Sequence, residues 1–128
     1  MKFRFWIQRK ETLGAQGERL AAEYLRKLGY RILERNLQVD DDEADLVALD
    51  PDARTIVIVE VKTRADDSNA PEAAIGSDKQ RHLIRLAMKL QKRDRYRNAP
   101  FRFDAVAVIL PKSGPSTIRH IPGAFSAR

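Results

Sequence analysis

The fold of this chain is decided by two apolar segments, Ala44-Asp-Leu-Val-Ala-Leu-Asp50 and Thr55-Ile-Val-Ile-Val-Glu-Val-Lys62. β-Branched and aliphatic residues dominate both segments, and a break that contains Pro51 separates them, so each segment predicts a β-strand. Side chains alternate between the two faces of a strand, and Glu60 and Lys62 therefore share a face. Because charged groups at the end of an apolar strand are costly to bury, they predict either a functional site or an ion-pair network.

The break between the segments, Pro51-Asp-Ala-Arg54, has the length of a four-residue hairpin loop. This length sets the register, since Asp50 then pairs with Thr55 and Asp45 falls opposite Glu60. A slip by one residue would move every side chain to the other face. The opposite face of the pair is expected to be apolar throughout, with Ala44, Leu46, Ala48, Val57, Val59 and Val61.

In this register, Asp45 and Glu60 would lie with their Cβ atoms about 5 Å apart. Two carboxylates at that separation repel each other by roughly 3 kcal/mol at an effective dielectric constant of about 20. A divalent cation that prefers oxygen ligands, Mg²⁺ or Mn²⁺, would remove the repulsion. The same ladder places Glu43 opposite Lys62, and a satisfied ion-pair network without chemistry is the alternative interpretation.

The composition predicts a single basic domain. The chain has 128 residues, no cysteine and a formal net charge of +6. The absence of cysteine excludes disulfides and thiolate metal sites and favours a cytoplasmic location, and no apolar run reaches the roughly 20 residues that span a bilayer. The positive charge favours nucleic acid as a partner, with composition alone as the alternative reason for it. The acids at 40–43, together with Asp45, form a centre that we expect to attract a metal ion.

The periodicities along the chain predict an α-β-β-β-α-β-β order, a single α/β domain with helices on the faces of its sheet. A basic aromatic arm at 1–11 precedes a domain at 12–128, and the arm either packs on that domain or contacts a partner. The helices are expected at 13–28 and from residue 77 onward. The strands are expected at 30–36, 44–50, 55–62, 102–110 and 117–121. A polar loop is expected at 63–72.

Local signals add detail to both helices. Gly17 lies inside the first helix, where it would permit close approach to the sheet beside Glu18, and Gly29 is expected to end this helix. Ser77 and Gln80 form a capping box at the start of the second helix. A basic row on the second helix either tracks phosphates or is a solvated surface, and it consists of Arg81, Arg85, Lys89 and Lys92.

Several segments of the chain form a specific set. They are Gly14-Ala-Gln-Gly-Glu-Arg-Leu-Ala-Ala-Glu-Tyr-Leu-Arg-Lys-Leu-Gly-Tyr30, Arg35-Asn36, Glu43-Ala-Asp-Leu-Val-Ala48, Val59-Glu-Val-Lys-Thr-Arg64, Arg102-Phe-Asp104, His120-Ile121 and Ala124-Phe125. As a set they resemble the YraN family of small bacterial proteins, which are predicted to be endonuclease-like and similar to archaeal Holliday junction resolvases. The resemblance extends to the PD-(D/E)xK nuclease superfamily, whose motif is matched by Asp45, Glu60 and Lys62.

The resemblance implies a restriction-endonuclease-like core with a mixed central sheet flanked by helices. It implies that Asp45, Glu60 and the backbone carbonyl of Val61 bind Mg²⁺ or Mn²⁺, and that Lys62 orients the attacking water or stabilises the transition state. Glu18 is similar in place to an N-terminal helix acid of resolvase-like relatives. The family usually has Gly where this chain has Asp42, and a Gly there predicts a turn with positive φ.

Five residues are candidates for contacts to a nucleic-acid backbone, with capping or surface roles as the alternative: Arg64, Lys79, Gln80, Arg81 and Arg85. Asp104 and His120 are interpreted as structural. The first functional hypothesis is a metal-dependent endonuclease that cleaves DNA, in branched or damaged substrates and as a homodimer. The second is a nucleic-acid-binding module on a nuclease-like fold with weak or lost catalysis. The third is an adaptor that binds a partner through the arm.

Overall fold

The computed structural model describes residues 11–66 and 75–127. The helices in this part of the chain are α1 (Leu13–Lys27) and α2 (Ser77–Leu90). The strands are β1 (Arg31–Val39), β2 (Asp42–Leu49), β3 (Ile56–Arg64), β4 (Phe101–Ile109) and β5 (Thr117–Phe125). The expected order is confirmed, while residues 1–10 of the predicted arm and residues 67–72 of the predicted loop lie outside the described residues. No helix within the described ranges is long and apolar enough to cross a membrane.

The strands form one mixed sheet in the order β1-β2-β3-β4-β5. β3 and β4 are parallel and are joined through α2, whereas the other neighbours are antiparallel. One helix packs on each face, so the sheet has two cores. The core under α1 is built by Ala21, Leu25, Leu46, Val57, Val59 and Val106. The core under α2 is built by Val47, Ile58, Leu83, Leu86, Leu90 and Phe103.

The register of the central hairpin agrees with the loop-length prediction. The Asp50 amide donates to the Thr55 carbonyl at 2.9 Å, and the ladder runs from Leu49 opposite Ile56 to Leu46 opposite Val59. The loop is held by the carboxylate of Asp52, which accepts from the amides of Arg54 and Thr55 at 2.8 Å each. The loop length therefore sets the register as far as Leu46 and Val59, but the predicted pairing of Asp45 with Glu60 is wrong, because the ladder ends one residue before them.

The structure corrects several local predictions. The capping box is wrong: α2 begins at the N-cap Gly76 without a side-chain cap, and the side-chain Nε2 of Gln80 donates instead to the Ile75 carbonyl at 2.9 Å. β5 continues past the predicted end at residue 121, and its last residue, Phe125, stacks on Phe103 with ring centroids 4.7 Å apart.

The basic segment at 92–97 also has a structural role that its charge did not predict. It contains a short 3-10 turn, Asp94–Tyr96. Tyr96 is buried in the core under α2, and its hydroxyl donates to the carboxylate of Glu34 on β1. This segment therefore anchors the second helix's C-terminal connection to the edge of the sheet.

Gly17 brings α1 close to the end of β3. A Cβ atom at this position would overlap the hydroxyl of Thr63, whereas a Cβ at Gly14, one turn earlier, would meet nothing within 4 Å. Gly29 has φ 96° directly after the C-cap Leu28, as expected for the residue that ends the helix. The close approach at Gly17 places the next residue, Glu18, beside the C-terminal end of β3.

Two identical substitutions in α1 are expected to change stability in opposite directions. Gly17→Ala should lower the free energy of unfolding by about 1 kcal/mol or more, because the new methyl group meets Thr63. Gly14→Ala should raise it by about 0.5 kcal/mol, because it only removes backbone entropy from the unfolded chain. Urea unfolding followed by circular dichroism measures both, and equal effects of the two substitutions would contradict the close packing.

Candidate functional site

The site forms where β2 leaves β3. The paired residues of the two strands end at Leu46 and Val59, so the ladder stops one residue before Asp45 and Glu60 would meet. Beyond this point the Oδ2 atom of Asp45 accepts a hydrogen bond from the Val61 amide at 2.7 Å. The two strands therefore separate here and leave a gap between them. At the mouth of this gap, the Asp45 carboxylate takes the place of a backbone hydrogen-bond partner for β3.

The tip of the β1–β2 hairpin, residues 37–44, bends away from β3 as a paired unit. Its pairs run from Leu37 opposite Ala44 to Val39 opposite Asp42, but Asn36 and Asp45 are not paired with each other. Asn36 has a left-handed backbone with φ 48°. A left-handed residue interrupts the pleat of a strand, and asparagine tolerates this conformation better than most residues.

The bend changes the face on which the tip packs. Ala44 is buried in the core under α2, whereas Leu46 is buried in the core under α1. Residues two apart on a regular strand would share a face. The prediction that Ala44 lies on one apolar face with Leu46 is therefore wrong, because the alternation is interrupted at Asp45.

The hairpin tip is fixed to α2 by Asp42, which is 1% exposed. Its carboxylate accepts from Arg85 Nε at 2.9 Å and Nη2 at 2.7 Å, and from Lys89 Nζ at 3.2 Å, and it lies 2.9 Å from His82 Nδ1. The hydrogen bonds from Arg85 are the main reason why the pKa of Asp42 lies well below its usual range, and burial opposes them. Asp42 is therefore a buried, ionised anchor for the helix.

The ion pairs of Asp42 and Asp40 remove two acids from the acidic centre that the sequence predicted. The carboxylate of Asp42 is already bound by the cationic side chains of α2, and Asp40 forms an ion pair with Lys89 at 2.9 Å. The left-handed residue of the hairpin turn is Asp40, with φ 55°, rather than Asp42. The expected turn at Asp42 is thus displaced by two residues, and the acids around Asp45 are those that remain as candidates for the predicted metal site.

Glu60 is the buried acid of this group, at 5% exposed. Its Oε2 lies 3.4 Å from Lys62 Nζ, and its Oε1 lies 3.7 Å from Lys79 Nζ in the first turn of α2. Within the described part of the chain, Oε1 is the buried side-chain oxygen that has no hydrogen-bond partner. The pKa of Glu60 is raised to about 7, first by burial and then by the charge and hydrogen bonding of Asp45, whereas Lys79 and Lys62 lower it.

Glu18 reaches the same acids from α1. Burial and then the charge of Asp45 raise the pKa of Glu18, and Glu43 contributes further, whereas hydrogen bonding from Asn36 lowers it. The pKa of Glu18 thus responds to the charge of Asp45 across the gap, as expected from the place of Glu18 beside Gly17. Glu18 and Glu60 therefore each lie near Asp45, at one end of the sheet.

The predicted cross-strand pair of Glu43 and Lys62 does not form. The β2–β3 ladder ends before it reaches them, Glu43 pairs across β1 with Gln38, and the ion pair of Lys62 is with Glu60. The divergence of β2 at Asp45 is the physical reason, because it carries Glu43 away with the hairpin tip. Lys62 is left at the mouth of the gap, with its side chain 23% exposed.

The five candidate contacts to nucleic acid do not form one surface. Lys79 lies at the acid site and Arg64 ends β3 beside it, with its guanidinium donating to the Thr63 carbonyl at 3.0 Å. Gln80 is engaged with Ile75 as described above, and Arg81 forms an ion pair with Asp78. The guanidinium of Arg85 is bound to Asp42, so its charge is compensated. The basic row of α2 is therefore partly neutralised, and Lys79 and Arg64 are the candidates nearest the acids.

A second buried aspartate, Asp104 on β4, is also surrounded by hydrogen-bond donors. Asp104 binds Arg102 Nε and His120 Nε2, each at 2.8 Å, and Arg102 also donates to the Tyr30 hydroxyl at 2.8 Å. Burial would raise the pKa of Asp104, but hydrogen bonds from His120, Arg102 and the Gly123 amide hold it below its usual value. These contacts agree with the structural interpretation of Asp104 and His120.

Sequence reasoning missed Asn36 and the anchoring role of Asp42. In the sequence Asn36 stands within the short Arg35-Asn36 segment, and a single asparagine gives no signal of a left-handed strand residue. Asp42 lay inside an acidic run and was interpreted with its neighbours. One signal was available, since His82, Arg85 and Lys89 share one face of a helix and suit a single buried anion.

Comparisons with known proteins agree on the family. The pattern of the family described as "Uncharacterised protein family UPF0102" matches residues 17–108. A UPF0102 protein of Pelobacter propionicus is 41% identical over 113 residues, which is 88% of this chain and 81% of the relative. One from Trichlorobacter lovleyi is 40% identical over 116 residues, 90% of this chain and 91% of the relative. This family is the YraN group, so the resemblance is confirmed.

Among solved structures, this chain is similar to Pyrococcus furiosus SfsA in complex with Ca²⁺. The TM-score is 0.39 and the identity 17%, with 86% of this chain and 62% of that chain covered.

Asp42 is expected to make stability depend on acidity. Its pKa is lowered by folding, so its contribution is complete above the ordinary aspartate pKa, near 4, and is lost as the pH falls below it. Asp42→Asn should cost about 2 kcal/mol of unfolding free energy at pH 7, because it weakens hydrogen bonds to charged groups. The difference between wild type and Asp42→Asn should shrink as the pH falls from about 5 to 3.

Urea titrations at stepwise pH measure this difference. The neighbouring Asp41→Asn removes the same charge from an exposed side chain and is the matched control, expected to change stability by less than about 0.5 kcal/mol. A gap between wild type and Asp42→Asn that stays constant across the pH range would contradict the ionised anchor.

Proposed function

This chain belongs to the uncharacterised protein family UPF0102, and from that premise and the geometry of its acid site we propose that it is a metal-dependent endonuclease that cleaves phosphodiester bonds of DNA. The observation that carries the proposal is the environment of the buried Glu60 carboxylate. Its buried Oε1 has no hydrogen-bond partner, Asp45 lies beside it, and the nearest ammonium groups stand 3.4 and 3.7 Å from its oxygens. A buried carboxylate with an unsatisfied oxygen is suited to hold a cation.

The residues present fit a hard divalent cation. Asp45, Glu60 and the backbone carbonyl of Val61 would hold Mg²⁺ or Mn²⁺. The N–H and C=O of one strand residue point to the same side, so the Val61 amide that binds Asp45 indicates a carbonyl directed at the gap. The described residues contain no group of three acidic, histidine or cysteine side chains suited to a metal. A main-chain oxygen and water would complete the set, as Mg²⁺ accepts.

Bound there, the ion would lower the pKa of a water ligand and polarise the scissile phosphate. Lys62 is within reach of a water or phosphate oxygen beside Glu60, and its ammonium group would stabilise the negative charge that develops in the transition state. Lys79 would contact a phosphate oxygen from the opposite side, where the first turn of α2 also favours anions. Glu18 would hold a water from α1.

The formal net charge of +6 supports a nucleic-acid substrate. Arg64 and Lys79 would contact the backbone next to the reacting phosphate, and such contacts give affinity without sequence preference. Branched or damaged DNA is part of the proposal through the family resemblance. A homodimer is also part of it, since symmetric cutting of two strands requires two copies of this site.

A second candidate function is nucleic-acid binding on a nuclease-like fold with weak or lost catalysis. One observation favours it: the charge of Glu60 is already partly balanced by Lys62 and Lys79 without a metal. Under this hypothesis the two ammonium groups are permanent partners of the acid. Binding would then be retained when the acids are replaced, and it would weaken steeply with salt.

The endonuclease proposal predicts cleavage that depends on three groups. With Mg²⁺ or Mn²⁺, the purified chain should cut at least one DNA in a panel of linear, flapped, forked and four-way substrates. Glu60→Gln and Lys62→Ala should each lower the rate by 100-fold or more, as typical for removal of a metal ligand or a charge-stabilising group. Denaturing gels with labelled strands measure the rates.

The matched control is Lys27→Ala, because Lys27 is an exposed lysine at the far end of α1. Its rate should remain within about twofold of wild type, since it lies outside the site. Cleavage that survives both Glu60→Gln and Lys62→Ala would come from a contaminant and end the proposal. Binding without cleavage would support the second candidate function, and an absence of DNA binding would reject both.

The metal site also predicts a stability effect that needs no substrate. Mn²⁺ at 100 times its dissociation constant should stabilise the wild-type chain by about 2.7 kcal/mol. Glu60→Gln should abolish this gain and should leave the metal-free protein at least as stable, because a neutral amide relieves the repulsion with Asp45. Thermal unfolding with and without Mn²⁺ measures both effects. An equal gain in wild type and Glu60→Gln would place the ion elsewhere.

A further inference from the structure

Asn36 is a non-glycine residue with a left-handed backbone in the middle of a strand. Its φ is 48°, and it lies opposite Asp45, between the pair of Arg35 with Leu46 and the pair of Leu37 with Ala44. We infer that Asn36 is a positioning residue, whose left-handed backbone aims Asp45 into the gap between β2 and β3. The inference deepens the proposed metal site and rests on it for its functional meaning.

The path of β2 changes direction at Asp45. In a regular antiparallel pair, Asp45 would share a face with Val47, which is buried in the core under α2. Its carboxylate instead lies along the sheet and accepts from the Val61 amide at 2.7 Å. A change of direction is required at Asp45, and it occurs directly across from Asn36.

The direction of Asp45 also depends on the hairpin tip. Residues 37–44 remain paired beyond the interruption, and both Leu37 and Ala44 pack in the core under α2. The tip therefore turns as a unit, with Asn36 and Asp45 at its base. Asp42 fixes the far end of the tip to α2. The tip is thus held at both ends, and the conformation of Asn36 decides how Asp45 leaves it.

Two requirements determine which residue type suits position 36. A left-handed backbone excludes β-branched residues and is unfavourable for most others, but Asn and Gly adopt it readily. The Asn36 side chain also lowers the pKa of Glu18, so it lies beside the third acid. Asparagine therefore meets the backbone requirement and adds a contact to the third acid, whereas glycine would meet only the first.

The test separates backbone conformation from side chain. Asn36→Gly keeps the left-handed conformation and removes the amide, whereas Asn36→Ala disfavours the conformation. The matched control is Asn98→Ala, because Asn98 is an exposed residue with φ 65° that precedes β4, at the opposite end of the sheet from the acids. It makes the same strained replacement away from the site.

Two readouts are used on the full chain. Amide exchange by ¹H–¹⁵N NMR compares Val61, whose amide binds Asp45, with Val57, which lies in the core of the same strand. In Asn36→Ala the protection of Val61 should fall relative to Val57, whereas Asn36→Gly and Asn98→Ala should retain the wild-type ratio. Calorimetric titration with Mn²⁺ alone should show about a tenfold loss of affinity in Asn36→Ala, as for other residues that orient a metal ligand.

The experiment distinguishes a failure of the positioning role of Asn36 from a failure of the proposed function. Wild-type protection of Val61 in Asn36→Ala, or an equal loss in Asn36→Gly, would overturn the positioning role. An equal loss in Asn98→Ala would show a general effect of strain and would overturn it too. If the wild-type chain binds no Mn²⁺, the metal site fails, but the Val61 exchange still decides whether Asn36 positions Asp45.

Discussion

The separation of β2 from β3 at Asp45 is the constraint on which the rest of the site depends. A continuous ladder would have satisfied the backbone of β3 and closed the sheet. Instead the hairpin tip is drawn onto α2 by the buried carboxylate of Asp42, and the Asp45 side chain supplies the hydrogen bond that the ladder no longer provides to Val61. Packing, backbone conformation and one buried ion pair thus act together to open a gap at the acids.

The acids of this protein fall into two groups that differ in how their charge is satisfied. Asp42 and Asp104 are both 1% exposed, and each is surrounded by donors that hold its pKa below the usual value. Glu60 is nearly as buried, but its pKa is raised to about 7 and one of its oxygens lacks a hydrogen bond. Buried acids that stabilise a fold normally have both oxygens hydrogen-bonded, so the unsatisfied oxygen of Glu60 supports the site proposed at this end of the sheet.

Much of this architecture could be predicted from the sequence. The length of the loop at 51–54 fixed the register of the central hairpin, because a four-residue turn leaves little choice of pairing. The element order followed from periodicity. The bend at Asn36 could not be predicted, since a backbone conformation that depends on packing elsewhere leaves no local pattern. The end of β5 was missed for a different reason: Pro122 and Gly123 normally terminate a strand but are tolerated on an edge.

The sequence predicts which acids lie near one another better than it predicts their arrangement. Asp45, Glu60 and Glu18 do converge, because strand ends and the close approach at Gly17 bring them together. The partners of Lys62 and Arg85 were not predictable, since both depend on where the hairpin tip packs. An acidic run in the sequence does not reveal which of its members turns inward toward a helix.

The irregular course of β1 has a consequence for how the molecule behaves among its neighbours. β1 is an outer strand of the sheet, and outer strands offer unpaired backbone groups to which other chains can add. Its register shifts between Ile32 and Glu34, and Asn36 breaks the pleat again a few residues later. Such kinks twist an exposed border out of the flat shape that strand addition needs. The device that aims a carboxylate would also guard the protein against intermolecular β-aggregation.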